Sequence, residues 1–166
     1  MIEKTLILIK PDGVERGLIG EITARFEKAG FKIAGMKMFW ADDGFARKHY
    51  PRSIEEKYGK EIRDRIVNYL KEGPVIAMVL EGVNAVENVR KIVGDTYPNE
   101  APPGTIRGDY AHISKDYANK NKRQVKNLIH ASGNKEDAKA ETKLWFSDSE
   151  LFEYQTVFEK HCRYLF

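Results

Sequence analysis

The segment Asn127-Leu128-Ile129-His130-Ala131-Ser132, with Glu141 nine residues past the serine, holds the side chains best suited to covalent chemistry. Imidazole is close to neutral at cellular pH, so one ring nitrogen keeps a lone pair while a hydrogen-bond partner on the other can fix tautomer and orientation. Such a ring can accept a phosphoryl group and hand it on. A histidine at the end of an apolar run serves equally well as a structural residue, so its company decides the matter. Cations recur where elements should end. Lys10 closes an apolar run, and Arg90 lies near the edge of a helix's apolar stripe, from which it reaches a cleft. Arg107 sits in Pro103-Gly104-Thr105-Ile106-Arg107-Gly108-Asp109, where two glycines permit a tight path and a planar guanidinium suits bidentate phosphate recognition. Tyr50 and Thr96 add neutral donors.

No Gly-x-x-x-x-Gly-Lys-Ser/Thr loop is present, and no Gly-x-Gly-x-x-Gly follows a strand, so a polyphosphate would be held by such cations instead. No His/Cys cluster has metal-ligand spacing and no Glu-x-x-His occurs, which argues against a permanently held metal. His49, His112 and His161 lie in charged or loop contexts and read as structural or exposed. Arg107-Gly108-Asp109 invites an adhesion reading, which the absence of an export signal does not support.

These side chains need a frame. Thr5 to Ile9 reads as a buried strand closed by a turn at Lys10-Pro11-Asp12-Gly13, and Leu18 to Gly30 as an amphipathic helix. Phe31 to Trp40 reads as a second strand whose parity switches between Ile33 and Met36, which predicts a bulge near Gly35. The capping-box pattern Ser53-Ile54-Glu55-Glu56 predicts one helical stretch to Gly73, followed by a strand from Pro74 to Leu80. Asn84 and Glu87 predict a capped helix ending at Gly94, and Asp95 to Asn127 a long irregular region. Leu128 and Ile129 then form a short strand ending in His130, Glu136 to Trp145 a helix, and Ser147-x-x-Glu150 a capping box opening a last helix near Leu151 to Tyr154. The order fits an α+β sandwich of the ferredoxin-like split βαβ kind, a four-stranded antiparallel sheet covered on one face by helices. The pattern alone also leaves room for a parallel doubly wound sheet.

The 166 residues are expected to form one domain, residues 1–166, with a core that needs no staples. No stretch approaches the roughly 20 apolar residues of a membrane span. Met1-Ile2-Glu3-Lys4 leads straight into a strand pattern without a secretory signal, and Cys162 is the single cysteine, so a cytoplasmic location is expected. A net charge of +3 does not indicate nucleic-acid binding, and the basic stretch Lys115 to Lys126, interleaved with Asn119, Asn121 and Gln124, reads as a solvated face.

Taken in order, Ile9-Lys10-Pro11-Asp12-Gly13-Val14, Arg16-Gly17-Leu18-Ile19-Gly20-Glu21, His49-Tyr50, Gly73-Pro74-Val75, the Pro103 to Asp109 loop, Asn127-x-x-His130-x-Ser132 and Leu144-Trp145-Phe146 closely resemble the nucleoside diphosphate kinases. The resemblance implies transfer of the terminal phosphoryl group of ATP or another nucleoside triphosphate to a nucleoside diphosphate, by ping-pong kinetics through a phosphohistidine. It makes His130 the nucleophile, with Glu141 and Ser132 orienting it, and Lys10, Tyr50, Arg90, Thr96 and Arg107 the phosphate contacts, with Lys10 and Asn127 also near the ribose hydroxyls. Mg²⁺ would arrive on the nucleotide phosphates rather than in a protein cage. Homo-hexamers or tetramers are implied, with Asp95 to Arg107 at subunit contacts and the hexamer expected here.

Three departures stand out. Counting back from Gly73-Pro74 puts Ile62 where the family stacks the base on an aromatic, while Tyr58, one turn before it in a lengthened segment, offers the aromatic face. Gly133 follows Ser132 where the family has aspartate, and the stretch from Tyr110 to Asn127 is expanded. The competing class is a non-enzymatic nucleic-acid-binding domain on the same sandwich, against which stands the lack of an aromatic pattern on the apolar central strands.

Overall fold

The computed structural model describes residues 1–162. Its sheet has four strands in the order β2-β3-β1-β4, all antiparallel: β1 (Ile2–Ile9), β2 (Lys32–Phe39), β3 (Val75–Val83) and β4 (Ile129–Ala131). β3 lies between β1 and β2, and β1 between β3 and β4, so the crossovers through α2 (Ile19–Lys28) and α6 (Ala85–Val93) give the expected split βαβ topology rather than a parallel sheet.

Helices cover both faces, not one. Leu6 and Leu8 of β1, with Ala77 and Val79 of β3, pack beneath α3 (Asp43–His49), α5 (Lys60–Lys71) and α9 (Lys135–Trp145). Ile7 and Ile9, with Ile76, Met78 and Leu80, pack beneath α2 and α6. The signal was in the sequence: Leu6 to Ile9 and Val75 to Leu80 are unbroken apolar runs, which suit strands buried on both sides rather than on one. Leu6, Ile7, Leu8 and Ile9 are all 0% exposed, each stabilising the fold by about 1.5–3 kcal/mol.

The bulge falls where parity put it. Ile33 faces Leu80 and Gly35 faces Val79, leaving Ala34 as the extra residue. A Cβ on Gly35 would lie 2.8 Å from the Glu150 carbonyl oxygen, so glycine is what lets the C-terminal segment cross the strand here.

Several local expectations give way. Pro11-Asp12-Gly13 opens a short helix, α1 (Pro11–Glu15), instead of a turn, because proline at the first helical position and an acid in the first turn suit a helix start. The stretch from Ser53 is divided at Gly59, φ +90°, into α4 (Arg52–Tyr58) and α5, and Pro51 rather than Ser53 stands at the N-cap. Asn84 precedes α6 without capping it through its side chain. The region from Asp95 to Asn127 is not wholly irregular: it carries α7 (Ile106–Tyr110) and α8 (Lys115–Lys120), capped by the Thr105 and Ser114 side chains. The Ser147/Glu150 capping box forms but closes a single 3-10 turn, Asp148–Glu150, and the next helix is α10 (Val157–Cys162). No helix of the described residues is long and apolar enough to cross a membrane.

Candidate active site

His130 sits in β4, paired with Leu8 across the sheet, and its ring meets Glu141 of α9. Its Nε2 lies 3.0 Å from both Glu141 carboxylate oxygens. Ser132, fully buried, accepts the Leu6 N–H at 3.3 Å and donates to Glu141 Oε2 at 2.6 Å. Burial alone would raise the Glu141 carboxyl, but the charge and hydrogen bond of His130, with the Ser132 hydroxyl, bring it below the ordinary carboxylate value. An ionised carboxylate accepts only, so Nε2 carries the proton and Nδ1 keeps the lone pair.

His49 is neither exposed nor remote. It is buried, with its ring edge-on to that of His130, centroids 4.7 Å apart, and 4.5 Å from Tyr50. Trp145 Nε1 donates to His49 Nδ1 at 3.2 Å, which leaves the proton on Nε2. Burial, together with His130 and Lys10 and against Glu141, pushes the His49 imidazole down to about 3, so it stays neutral. His49, His130 and Glu141 bring ligand atoms within 4.8 Å of one another, but His49 could coordinate a metal through Nε2 only by losing the Trp145 bond. The donor set therefore suits a positioned imidazole better than a metal.

A cleft of about 610 Å³ opens beside His130, bounded by Tyr50, Ile54, Lys57 and Tyr58 on one side and by Gly133, Asp137 and Glu141 on the other. Tyr58 is exposed there, with the Lys57 ammonium 5.1 Å above its ring. Ile62 is also exposed, 44%, but does not line this cleft. At Gly133 a Cβ would come within 2.8 Å of Asp137 Oδ2, so the Asp137 carboxylate, bonded to Asn134 Nδ2 at 3.0 Å, occupies the space beside the glycine.

A second group of residues is knotted around the approach to β4. Lys10, 7% exposed, donates through Nζ to Asn127 Oδ1 at 2.8 Å, and Asn127 Nδ2 donates to the Thr96 carbonyl at 2.9 Å. Arg107 is buried and donates to the carbonyls of Asn127, Gly94, Asp95 and Ile129 at 3.2, 3.1, 3.0 and 2.7 Å. Those bonds occupy four of its five N–H groups. The guanidinium is thus a brace rather than the open fork expected, with one N–H and the whole charge left over. Burial pushes it down to about 10, still protonated at neutral pH, with Arg90 also lowering it. Arg90 itself is exposed, with no hydrogen bond or ion pair among the described residues, and borders two open clefts, one with Gly94 and Thr105 and one with Gly133 and Asn134. Gly94, φ +87°, ends α6 and lets the loop carrying Thr105 pass where a Cβ would collide.

Sequence reasoning missed Asp12, Tyr69 and Trp145. The Tyr69 hydroxyl donates to Asp12 Oδ1 at 2.6 Å and accepts the Asn127 N–H at 3.2 Å, while Asp12 Oδ2 accepts the Leu128 N–H at 3.1 Å. Leu128 is held at φ +68°, a left-handed conformation that costs a branched residue about 1–2 kcal/mol. The partners lie 57 or more residues apart in sequence, so no local pattern announces them.

An imidazole held at one nitrogen, on a split βαβ sandwich that carries the buried cations Lys10 and Arg107 at the approach to β4, is suited to transfer of an anionic group through histidine. Residues 3–151 match the family model described as nucleoside diphosphate kinase. The chain is 50% identical over 153 residues to a nucleoside diphosphate kinase of Pyrococcus furiosus, covering 92% of this chain and 88% of the relative, and 41% identical over 156 residues to that of Borreliella burgdorferi, covering 93% of each. Among solved structures it resembles a transition-state mimic of the nucleoside-diphosphate kinase from Borrelia burgdorferi with bound vanadate and ADP, at TM-score 0.94 and 40% identity over 96% of each chain. A halophilic nucleoside diphosphate kinase from Halobacterium salinarum in complex with CDP is similar at TM-score 0.82 and 37% identity, covering 97% of this chain and 98% of that one. The chain belongs to the nucleoside diphosphate kinase family. It is an enzyme that moves a phosphoryl group from a nucleoside triphosphate to a nucleoside diphosphate, and the reading as a non-enzymatic nucleic-acid-binding domain finds no support.

Proposed function

We propose that His130 carries the phosphoryl group in a ping-pong exchange, with ATP as the usual donor. The observation that carries this is the seating of His130 Nε2 on both Glu141 oxygens at 3.0 Å, which frees Nδ1 as the nucleophile. The Nδ1 lone pair attacks the terminal phosphorus, the bond from phosphorus to the bridging oxygen breaks, and its electron pair leaves on the diphosphate. The ring, still protonated at Nε2, gains positive charge that Glu141 offsets, and the second diphosphate reverses the step. Phosphoryl transfer is largely positioning and charge stabilisation, which Lys10, Arg90 and Arg107 supply, with Tyr50 and Thr96 as neutral contacts. Mg²⁺ belongs to the nucleotide in this reading, held by phosphate oxygens and water. Initial rates with ATP and a second nucleoside diphosphate varied together test the scheme: a ping-pong enzyme gives parallel double-reciprocal lines, whereas intersecting lines would require a ternary complex and rule out the carrier.

Lys10 gives the site a pH signature. Burial, reinforced by Arg107 and opposed by Asp12, pulls its ammonium down to about 7. Phosphate favours the protonated form, so binding above neutrality takes up a proton and affinity falls as pH rises past about 7. The folding sign is opposite: the unfolded lysine keeps its proton to about 10.4, so the stability cost is fully present below about pH 7 and is relieved as pH rises toward 10. Calorimetry of ADP binding at about pH 8, in buffers of different ionisation heat, should show uptake approaching one proton in the wild type and none in Lys10→Met. Equal proton balance in the two would remove Lys10 from the phosphate site.

For the base, Tyr58 is favoured over Ile62, because it lines the cleft and because stacking on an aromatic ring is worth about 1–3 kcal/mol in single-strand binders. Every base offers a π-face, so adenine, guanine and pyrimidine diphosphates should all be accepted, purines slightly better. Tyr58→Ala should raise KM for all of them, and an effect confined to Ile62→Ala would move the platform there. The chain is read as one domain over residues 1–166, located in the cytoplasm. Assembly as a homo-hexamer is consistent with the position of β2 at the sheet edge, where Met36 is 46% and Met38 59% exposed.

A further inference from the structure

Asp12 and Tyr69 take no part in the steps above, yet together they hold the segment that leads into His130. Both are buried, Tyr69 at 1% and Asp12 at 9% exposure. The Tyr69 hydroxyl takes the Asn127 N–H and Asp12 Oδ2 the Leu128 N–H, while the hydroxyl and Oδ1 bond to each other at 2.6 Å. Two consecutive amides are thus fastened to one carboxylate and hydroxyl unit. Leu128, which carries the second of these amides and precedes the strand, is left-handed at φ +68°, a conformation disfavoured for leucine that such bonds hold in place. The same corner of the chain grips the other side of this segment: the Lys10 N–H donates to the Leu128 carbonyl and Lys10 Nζ to the Asn127 side chain, both at 2.8 Å. Lys10 Nζ also stands 4.8 Å from the centroid of the Tyr69 ring.

We propose that Asp12 and Tyr69 are positioning residues that set the Lys10 and Asn127 side chains in the orientation from which they meet the ribose hydroxyls. Selection of ribose over dideoxyribose then depends on a dyad that itself touches no nucleotide. This rests on the reading of Lys10 and Asn127 as ribose contacts. A buried dyad serving stability alone would act on both sugars alike, because its loss would lower the amount or order of the enzyme without distinguishing them.

The test is the ratio of kcat/KM for uridine diphosphate to that for 2′,3′-dideoxyuridine diphosphate, with ATP as donor. Tyr69→Phe keeps the ring and its packing and removes only the hydroxyl. Asp12→Asn provides a second variant, since Tyr69 and Leu128 donate to different carboxylate oxygens and an amide keeps only one acceptor oxygen. Asn127→Ala gives the floor. In Tyr69→Phe and Asp12→Asn the ratio should fall about tenfold toward that floor, mostly through the ribose substrate. A wild type that treats the two sugars equally would overturn the ribose reading itself. A wild type that discriminates, an Asn127→Ala that does not, and a Tyr69→Phe or Asp12→Asn that keeps the full ratio would overturn the dyad's role, as would equal losses on both substrates.

Discussion

Replacing His130 with alanine should abolish phosphoryl transfer, with a fall in kcat/KM on the order of 10⁴- to 10⁶-fold, the scale of losing a covalent nucleophile. The fold should survive. His130 lies at the cleft, its pairing with Leu8 is a main-chain one, and the Glu141 carboxylate keeps the Ser132 hydroxyl at 2.6 Å, so no buried charge is left without a partner. Steady-state kinetics with thermal unfolding separates the outcomes. Activity within tenfold of wild type would end the phosphohistidine scheme.

Arg107→Ala should be nearly as severe, for two reasons that add. The guanidinium charge beside the transferring group is lost, at about 2–4 kcal/mol of transition-state stabilisation by comparison with removal of one preorganised donor. The brace is lost as well: the carbonyls of Gly94, Asp95 and Ile129 lose the guanidinium donor, and that of Asn127 is left with the Ile129 N–H alone. A lower unfolding temperature should therefore accompany the lower kcat/KM. Arg90, exposed and bonded to nothing among the described residues, should show the charge effect of similar size without the loss of stability. Unchanged kcat/KM in both variants would dismiss the cations from catalysis, and a destabilised but fully active Arg107→Ala would make it a structural residue alone.

The parts of the fold legible beforehand were those encoded by local pattern. The apolar runs Leu6 to Ile9 and Val75 to Leu80 gave the central strands, and the parity change between Ile33 and Met36 located a bulge that the register confirms at Ala34. Caps misled about where helices begin and how far they run, Asn84 among them, because a cap pattern fixes neither. Ser147 and Glu150 make both capping bonds yet hold one 3-10 turn, and Ser53 has a cap's pattern while Pro51 has its place. The candidate site was legible in residue types for Lys10 at a strand end, Arg107 in a glycine-flanked loop and His130 after an apolar run, while the role of Asn127 came from the family resemblance. What local pattern could not convey was their bonding, since each partner comes from a distant segment. Arg107 spends most of its donors on main-chain carbonyls, His49 is held neutral by burial and takes the Trp145 N–H on Nδ1, and Asp12 reaches Leu128 across 116 residues.

The decisive measurement is the location of the phosphoryl group after incubation with γ-labelled ATP. One acid-labile, base-stable phosphate per chain should form on His130, and on Nδ1 rather than Nε2, because Glu141 holds Nε2 through both oxygens at 3.0 Å. Discharge by any nucleoside diphosphate should return the label to the triphosphate. Label on another residue, on Nε2 of His130, or a phosphoenzyme that a diphosphate cannot discharge would contradict the mechanism.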